Sequence, residues 1–134
     1  MIAVTTRRGL PGEERAVSAI RVTPGDFGDA IGHDAPIALS SGRFFGATAT
    51  VGVSGGVDVA WNEITGTGRA YVARRVVGAD GVLGSVSEIS DLVKPKSVGI
   101  ARPSDTSGAV AFAALPAATS MEANAFVQLL GCAP

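Results

Sequence analysis

An internal repeat constrains the fold of this chain more than any other feature of its sequence. The segment Arg15–Val22 returns as Arg69–Val76, 54 residues later, and a weaker third copy covers Asn124–Leu130. Recurrence at such a spacing is typical of proteins that copy one structural unit in series, because each unit buries its apolar face against its neighbours. The repeat therefore predicts stacked units, and it indicates little about chemistry.

The composition predicts a core of small side chains. Of the 134 residues, 46% are hydrophobic but only 5% are aromatic. Such a core buries less area per residue than one of Leu and Phe, so stability has to come from many strand pairings. The formal net charge of −1 argues against a polyphosphate partner, and we expect no nucleic acid to bind.

Neither a membrane span nor a signal peptide is recognisable in the sequence. The longest nearly unbroken apolar stretch, Ala109–Leu115, is far shorter than the ~20 residues that cross a bilayer. Residues 5–8 (Thr-Thr-Arg-Arg) place charge where the apolar region of a signal peptide should continue. We expect no membrane insertion. The single Cys132 has no intrachain partner, so we expect an unpaired thiol, with intermolecular pairing or reactivity as the alternative.

The middle copy of the repeat predicts one antiparallel meander. Glycine-rich turns separate four short runs of strand-forming residues, which are Thr50–Val53, Val57–Trp61, Arg69–Val76 and Ser85–Ile89. In the second run Val57, Val59 and Trp61 alternate onto one face, and Asp58 is predicted on the opposite, solvent-facing side.

The flanking copies predict three strands each. The first copy, without an opening strand, contributes Ile2–Thr6, Arg15–Val22 and Ile37–Ser40; the last, without a closing strand, contributes Ser97–Ile100, Gly108–Phe112 and Ala125–Leu130. In the last copy Phe112 takes the place of Trp61. The prediction is an all-β chain of consecutive four-stranded antiparallel meanders, about two and a half propeller-like blades. Residues 1–40 form a partial first blade, 41–90 a complete second blade and 91–134 a partial third blade.

Several short motifs resemble the blade repeats of bacterial secreted and surface proteins of the β-propeller type. They are Leu39-Ser40, Val51-Gly52-Val53, Gly56–Trp61, Ala73-Arg74-Arg75, Ala79–Gly84 and Ile89-Ser90. The resemblance is good over residues 39–90, moderate over 91–130 and loose over 1–38. It implies a blade architecture and an extracellular or cell-surface location, and it implies no reaction.

Trp61, Arg74 and Arg75 each have a structural and a functional interpretation. A large aromatic among Ala and Val fills the gap between two packed sheets, whereas an exposed one could stack on a sugar. The adjacent arginines should face opposite sides of their strand, where one can pair with an acidic neighbour or extend along the rim of the sheet. A phosphate or carboxylate clamp is the alternative.

Asp80 and its counterpart Asp26 lie in x-Asp-x-Gly turns that resemble the Asp-box of sialidase-type blades. The Ser and Trp of that motif are absent, and we expect the Asp80 side chain to hydrogen-bond its own turn. Calcium would need several more oxygen ligands.

Residues for catalysis are scarce. His33, Asp34 and Ser40 or Ser41 supply the residue types of a hydrolase triad, but no Gly-x-Ser-x-Gly elbow accompanies them. Residues 54–56 (Ser-Gly-Gly) predict a hairpin turn rather than a phosphate loop, because no Lys follows. We predict no catalytic residue, no cofactor and no metal ligand.

These observations predict a non-catalytic structural or interaction module that is a fragment of a larger propeller-like repeat protein. The expected partners are further blades of the same protein, or a second copy that associates through strand edges. The alternative is a glycan-binding or glycan-hydrolysing propeller, lectin or sialidase-like, which would require Arg, Glu and Tyr to converge on one face. A β-sandwich would not predict recurrence at a spacing near 50 residues.

Overall fold

The chain is all-β in the part that the structure describes. The computed structural model describes residues 2–7, 15–21, 37–40, 42–92, 94–104, 106–115, 117, 119 and 121–131. Within them lie ten strands and no helix, and all paired strands are antiparallel neighbours in sequence. The prediction of an all-β, antiparallel fold is confirmed.

Three sheets follow one another along the chain. Sheet 1 contains β1 (Ile2–Arg7), β2 (Arg15–Arg21) and β3 (Ala38–Ser40). Sheet 2 contains β4 (Arg43–Val51), β5 (Val57–Ile64), β6 (Ala70–Val77) and β7 (Leu83–Leu92). Sheet 3 contains β8 (Lys94–Ala101), β9 (Ser107–Leu115) and β10 (Asn124–Gly131). The predicted strands thus appear in the predicted order, in sheets of three, four and three.

One turn type joins the four strands of sheet 2. Gly55, Gly68 and Gly81 have φ of 83°, 87° and 85°, and each is the last residue of a three-residue loop. The amide of each glycine donates to a carbonyl three residues earlier, at 2.9–3.0 Å. This is the hairpin loop in which a type I turn is followed by a left-handed residue, a conformation that glycine adopts at little cost.

Sheet 2 is packed between the other two sheets. Val57, Val59 and Trp61 face sheet 1, where they form a core with Val17 and Ile37. The opposite face of sheet 2 packs on sheet 3 through a second core, whose buried members are Ala60, Val72, Val110 and Phe112. Contacts between sheets concentrate at β4 and β8, the first strands of their sheets, and not at the last strands β7 and β10.

The repeat is also visible in the packing. Trp61 in β5 faces the preceding sheet 1, and Phe112 in β9 faces the preceding sheet 2. The second strands of sheets 2 and 3 therefore both direct an aromatic residue at the sheet before them. This packing agrees with a series of similar units, each covered by the next.

Two details of the sequence prediction were wrong. The first strand of sheet 2 runs from Arg43 to Val51 rather than from Thr50 to Val53, and Val53 lies in the following turn. Asp58 is not solvent-facing: it is 0% exposed, because sheet 3 covers the face of β5 on which it lies. A half-buried strand was the wrong expectation for a strand that has a sheet on each side.

Candidate functional site

Trp61 is a core residue. Only 1% of it is exposed, and it packs with Val59 and Ala73 of sheet 2 and Val17 of sheet 1. The sugar-stacking interpretation needs an accessible ring and is therefore wrong for Trp61. Among the described residues the indole Nε1 has no hydrogen-bond partner, and neither has the buried side chain of Asn62. The contribution of Trp61 to stability therefore comes from packing rather than from hydrogen bonding.

A buried ion pair lies between sheets 2 and 3. The Asp58 carboxylate accepts hydrogen bonds from Arg74 Nε at 2.6 Å and Arg74 Nη2 at 2.5 Å. This is the bidentate geometry in which a guanidinium and a carboxylate are most complementary. The prediction that one arginine of the pair would meet an acidic neighbour is confirmed for Arg74.

Arg102 adds a second cation from sheet 3. It follows β8, and its Nη1 lies 3.7 Å from Asp58 Oδ2. Its Nε also donates to the Ser104 carbonyl at 3.3 Å. The ion pair with Asp58 thus joins two sheets; sequence reasoning placed Asp58 on a solvent-facing side and did not identify Arg102. The available signal was a charged residue within the apolar run of residues 57–61.

A cleft of about 170 Å³ opens beside this ion pair. Sheet 2 supplies one wall, and the loop between β8 and β9 and the end of β10 supply the other. The lining residues are Asp58, Arg74, Arg102, Thr106, Ser107, Gly108, Leu130 and Gly131.

Arg75 faces the opposite side of its strand from Arg74, as predicted. Its Nε donates to the Gly84 carbonyl at 2.6 Å, and its Nη1 donates to the Ile37 carbonyl of sheet 1 at 2.8 Å. Arg75 therefore links β6 to its neighbour β7 and to the preceding sheet. These contacts give it a structural role.

Asp80 stabilises its own turn. Its Oδ1 accepts a hydrogen bond from the Val82 amide at 3.0 Å, which is the interaction predicted for this position. The counterpart Asp26 lies outside the described residues.

An arginine, a tyrosine and three acids converge at the other end of sheet 2. Arg69 forms ion pairs with Glu88 at 2.6 Å and Asp91 at 2.8 Å, and its guanidinium lies 5.3 Å from the Tyr71 ring centroid. The Tyr71 hydroxyl donates to Glu63 Oε2 at 2.6 Å. Burial and the hydrogen bond to Glu63 raise the pKa of Tyr71 well above its usual value, so its phenol stays neutral. Arg69 is already engaged by the carboxylates of Glu88 and Asp91, and the neutral phenol of Tyr71 is a poor nucleophile. This cluster therefore offers neither an available cation nor a reactive group.

The hydrolase candidates lie mostly outside the described residues. His33, Asp34 and Ser41 fall there, as does Cys132. Ser40 is described, and its buried Oγ accepts a hydrogen bond from the Gly42 amide at 2.9 Å. The triad hypothesis thus stays untested by geometry.

The described residues contain no group of three or more His, Cys, Asp or Glu side chains arranged to hold a metal ion. They also contain no helix with the length and hydropathy needed to span a membrane.

Comparison with known proteins assigns this chain to no group. Neither a protein-family model, nor a curated protein, nor a solved structure matches it.

Proposed function

We propose that this chain is a non-catalytic structural or interaction module, part of a larger propeller-like array of sheets. The module packs a further antiparallel sheet against sheet 3. That sheet is a further blade of the same protein or, for the isolated chain, comes from a second copy. The resemblance noted in the sequence extends the proposal to an extracellular or cell-surface location.

One surface carries the proposal, the open face of sheet 3. The register places three side chains of each strand there in three cross-strand rows. These three rows are uncharged and mostly apolar, and they consist of Ser97, Gly99, Ala101, Ala109, Ala111, Ala113, Ala125, Val127 and Leu129. Exposed fractions reach 77% for Leu129. Contiguous exposed apolar surface of this kind marks an interaction site.

The corresponding face of sheet 2 shows what covers such a surface. Ala60 and Val72 lie on that face, and both are 0% exposed because sheet 3 packs on them with Val110 and Phe112. Small residues let a second sheet approach closely, and an aromatic residue from the incoming sheet fills the remaining gap. The open face of sheet 3 also consists largely of small residues, without an ion pair like that of Asp58 and Arg74, and it offers this surface to a sheet of the same kind.

Contacts between sheets favour a radial arrangement. They concentrate at the first strands β4 and β8, while β7 and β10 make fewer contacts with the other sheets. Sheets that meet at their inner strands and separate toward their outer strands have the wedge geometry of propeller blades.

Strand edges are a second route to association. The edge strand β7 carries Glu88 and Asp91, and such charges oppose edge pairing. By contrast, β10 carries no charge and no proline. We therefore expect association to involve β10 and not β7.

A lectin or sialidase-like site built on Trp61, Arg69 and Tyr71 gains no support from the surroundings of these side chains. Trp61 is buried, and Arg69 is already engaged by Glu88 and Asp91. The neutral phenol of Tyr71 is bound to Glu63. A lectin or sialidase-like site would need accessible groups of these types.

Sedimentation of matched variants tests the proposal. At concentrations of order 100 μM, above the range where exposed apolar surfaces already associate, the wild-type chain should form dimers or larger assemblies. Leu129→Glu places a charge in the open face of sheet 3 and should shift the population toward monomer. Val53→Glu is the control, because Val53 is also 77% exposed but lies in the turn between β4 and β5.

The control variant should associate like the wild type. A wild-type chain that stays monomeric at this concentration contradicts the proposal. So does an equal response to the two charged variants, since it would show that the open face of sheet 3 has no special part in association.

A further inference from the structure

The cleft between sheets 2 and 3 contains more hydrogen-bond donors than the protein uses. A guanidinium carries five N–H donors. Arg74 gives one from Nε and one from Nη2 to Asp58, which leaves three. Its side chain is 21% exposed and lines the cleft, so the remaining donors are available to a ligand there.

Asp58 holds Arg74 in a fixed orientation. The carboxylate is fully buried and accepts hydrogen bonds from both Nε and Nη2 of Arg74. The Arg74 side chain is therefore already ordered before a ligand binds. A binding group that is already immobilised avoids much of the entropy cost of association. Arg102 is engaged by Asp58 and by Ser104, and recognition does not depend on it.

Hydroxyl groups form the opposite wall. Thr106 and Ser107 line the cleft, and both lie within hydrogen-bond distance of the Ser104 hydroxyl, at 3.2 and 2.7 Å. A hydroxyl both donates and accepts, so this wall suits the hydroxyl groups of a ligand. The cleft volume of about 170 Å³ corresponds to five or six water molecules at roughly 30 Å³ each. It suits a small molecule or one sugar unit.

We propose that this cleft binds a small hydroxy-carboxylate of the sugar-acid class. The ligand's carboxylate takes the remaining donors of Arg74, so that the guanidinium bridges two carboxylates. Its hydroxyl groups meet Thr106 and Ser107. This site is independent of the open face of sheet 3, because it lies on the other side of that sheet.

Amide NMR titration with two sugars tests the proposal directly. D-glucuronate and D-glucose differ at one carbon, which is a carboxylate in the first and a hydroxymethyl group in the second. Glucuronate should shift the amides of Ser107, Gly108 and Gly131 saturably, with a dissociation constant of order 1 mM, as expected for a small polar ligand. Glucose at the same concentrations should not produce saturable shifts at these amides.

Three variants locate the binding. Arg74→Lys keeps a cation beside Asp58 but cannot bridge two carboxylates, and it should weaken glucuronate binding at least ~10-fold. Ser107→Ala changes an exposed hydroxyl without disturbing the buried ion pair, and it should weaken binding ~3- to 10-fold. Arg43→Lys is the control, because Arg43 is exposed at the opposite end of sheet 2, and it should bind like the wild type.

Three results would overturn the proposal. One is the absence of saturable shifts at these amides up to about 20 mM glucuronate, well above the expected dissociation constant. Another is binding of glucose with the same affinity as glucuronate, which would show that the ligand's carboxylate contributes nothing to binding. The third is an unchanged affinity in Ser107→Ala, which remains informative even if Arg74→Lys does not fold.

Discussion

Trp61→Ala should destabilise the chain by ~3–5 kcal/mol, the cost of losing a large buried side chain and leaving a cavity. The residue is fully packed between sheets 1 and 2, and the other buried members of its cluster are small or β-branched. They cannot expand to fill the space. Because domains of this size are stable by only ~5–15 kcal/mol, much of the variant should be unfolded near room temperature.

Denaturant unfolding followed by circular dichroism measures this effect, since the variant lacks the single tryptophan. Phe45→Ala is a suitable control, because Phe45 is an exposed aromatic residue at the irregularity in β4. Its substitution should change stability by less than about 1 kcal/mol. An unchanged midpoint for Trp61→Ala would show that Trp61 lies outside the core and would restore the sugar-stacking interpretation.

Asp58→Asn should cost ~3–5 kcal/mol, because it leaves Arg74 largely buried without a carboxylate. Asp91→Asn removes a carboxylate from an exposed ion pair with Arg69 and should cost only ~0–1 kcal/mol. Urea unfolding of the two variants provides the comparison. Both aspartates accept a hydrogen bond from an arginine, so the expected difference in stability between the two variants comes from the burial of Asp58.

The double variant Asp58→Leu/Arg74→Met distinguishes the cost of an unpaired buried charge from the contribution of the ion pair itself. Replacing both partners with apolar side chains removes the uncompensated charge and should recover much of the stability lost in Asp58→Asn. Equal destabilisation by Asp58→Asn and Asp91→Asn would contradict the account of a buried, sheet-joining ion pair.

The strand order was predictable because its signals are local. Glycines at positions 55, 68 and 81 recur every 13 residues and mark the three hairpins of sheet 2. Alternating Val57, Val59 and Trp61 identify β5. The start of β4 at Arg43 was missed because Gly46 interrupts the strand pattern, and tertiary pairing with β5 carries the strand across this irregularity.

The cleft was not predictable because it depends on how separate sheets meet. Asp58 and Arg102 are 44 residues apart, and only the packing of sheet 3 on sheet 2 brings them together. The same packing buries Asp58. A single alternating strand cannot reveal whether its polar face meets water or another sheet.

Amide hydrogen exchange at two protein concentrations tests the stacked-sheet account most directly. The amides of β5 should be strongly protected at both, because sheets cover both faces of that strand. Amides in residues 109–113 and 125–129 should gain protection at high concentration, when a second sheet covers the open face of sheet 3. Those of β7 should not change. Protection in β9 and β10 that is independent of concentration, or a gain confined to β7, would contradict the account.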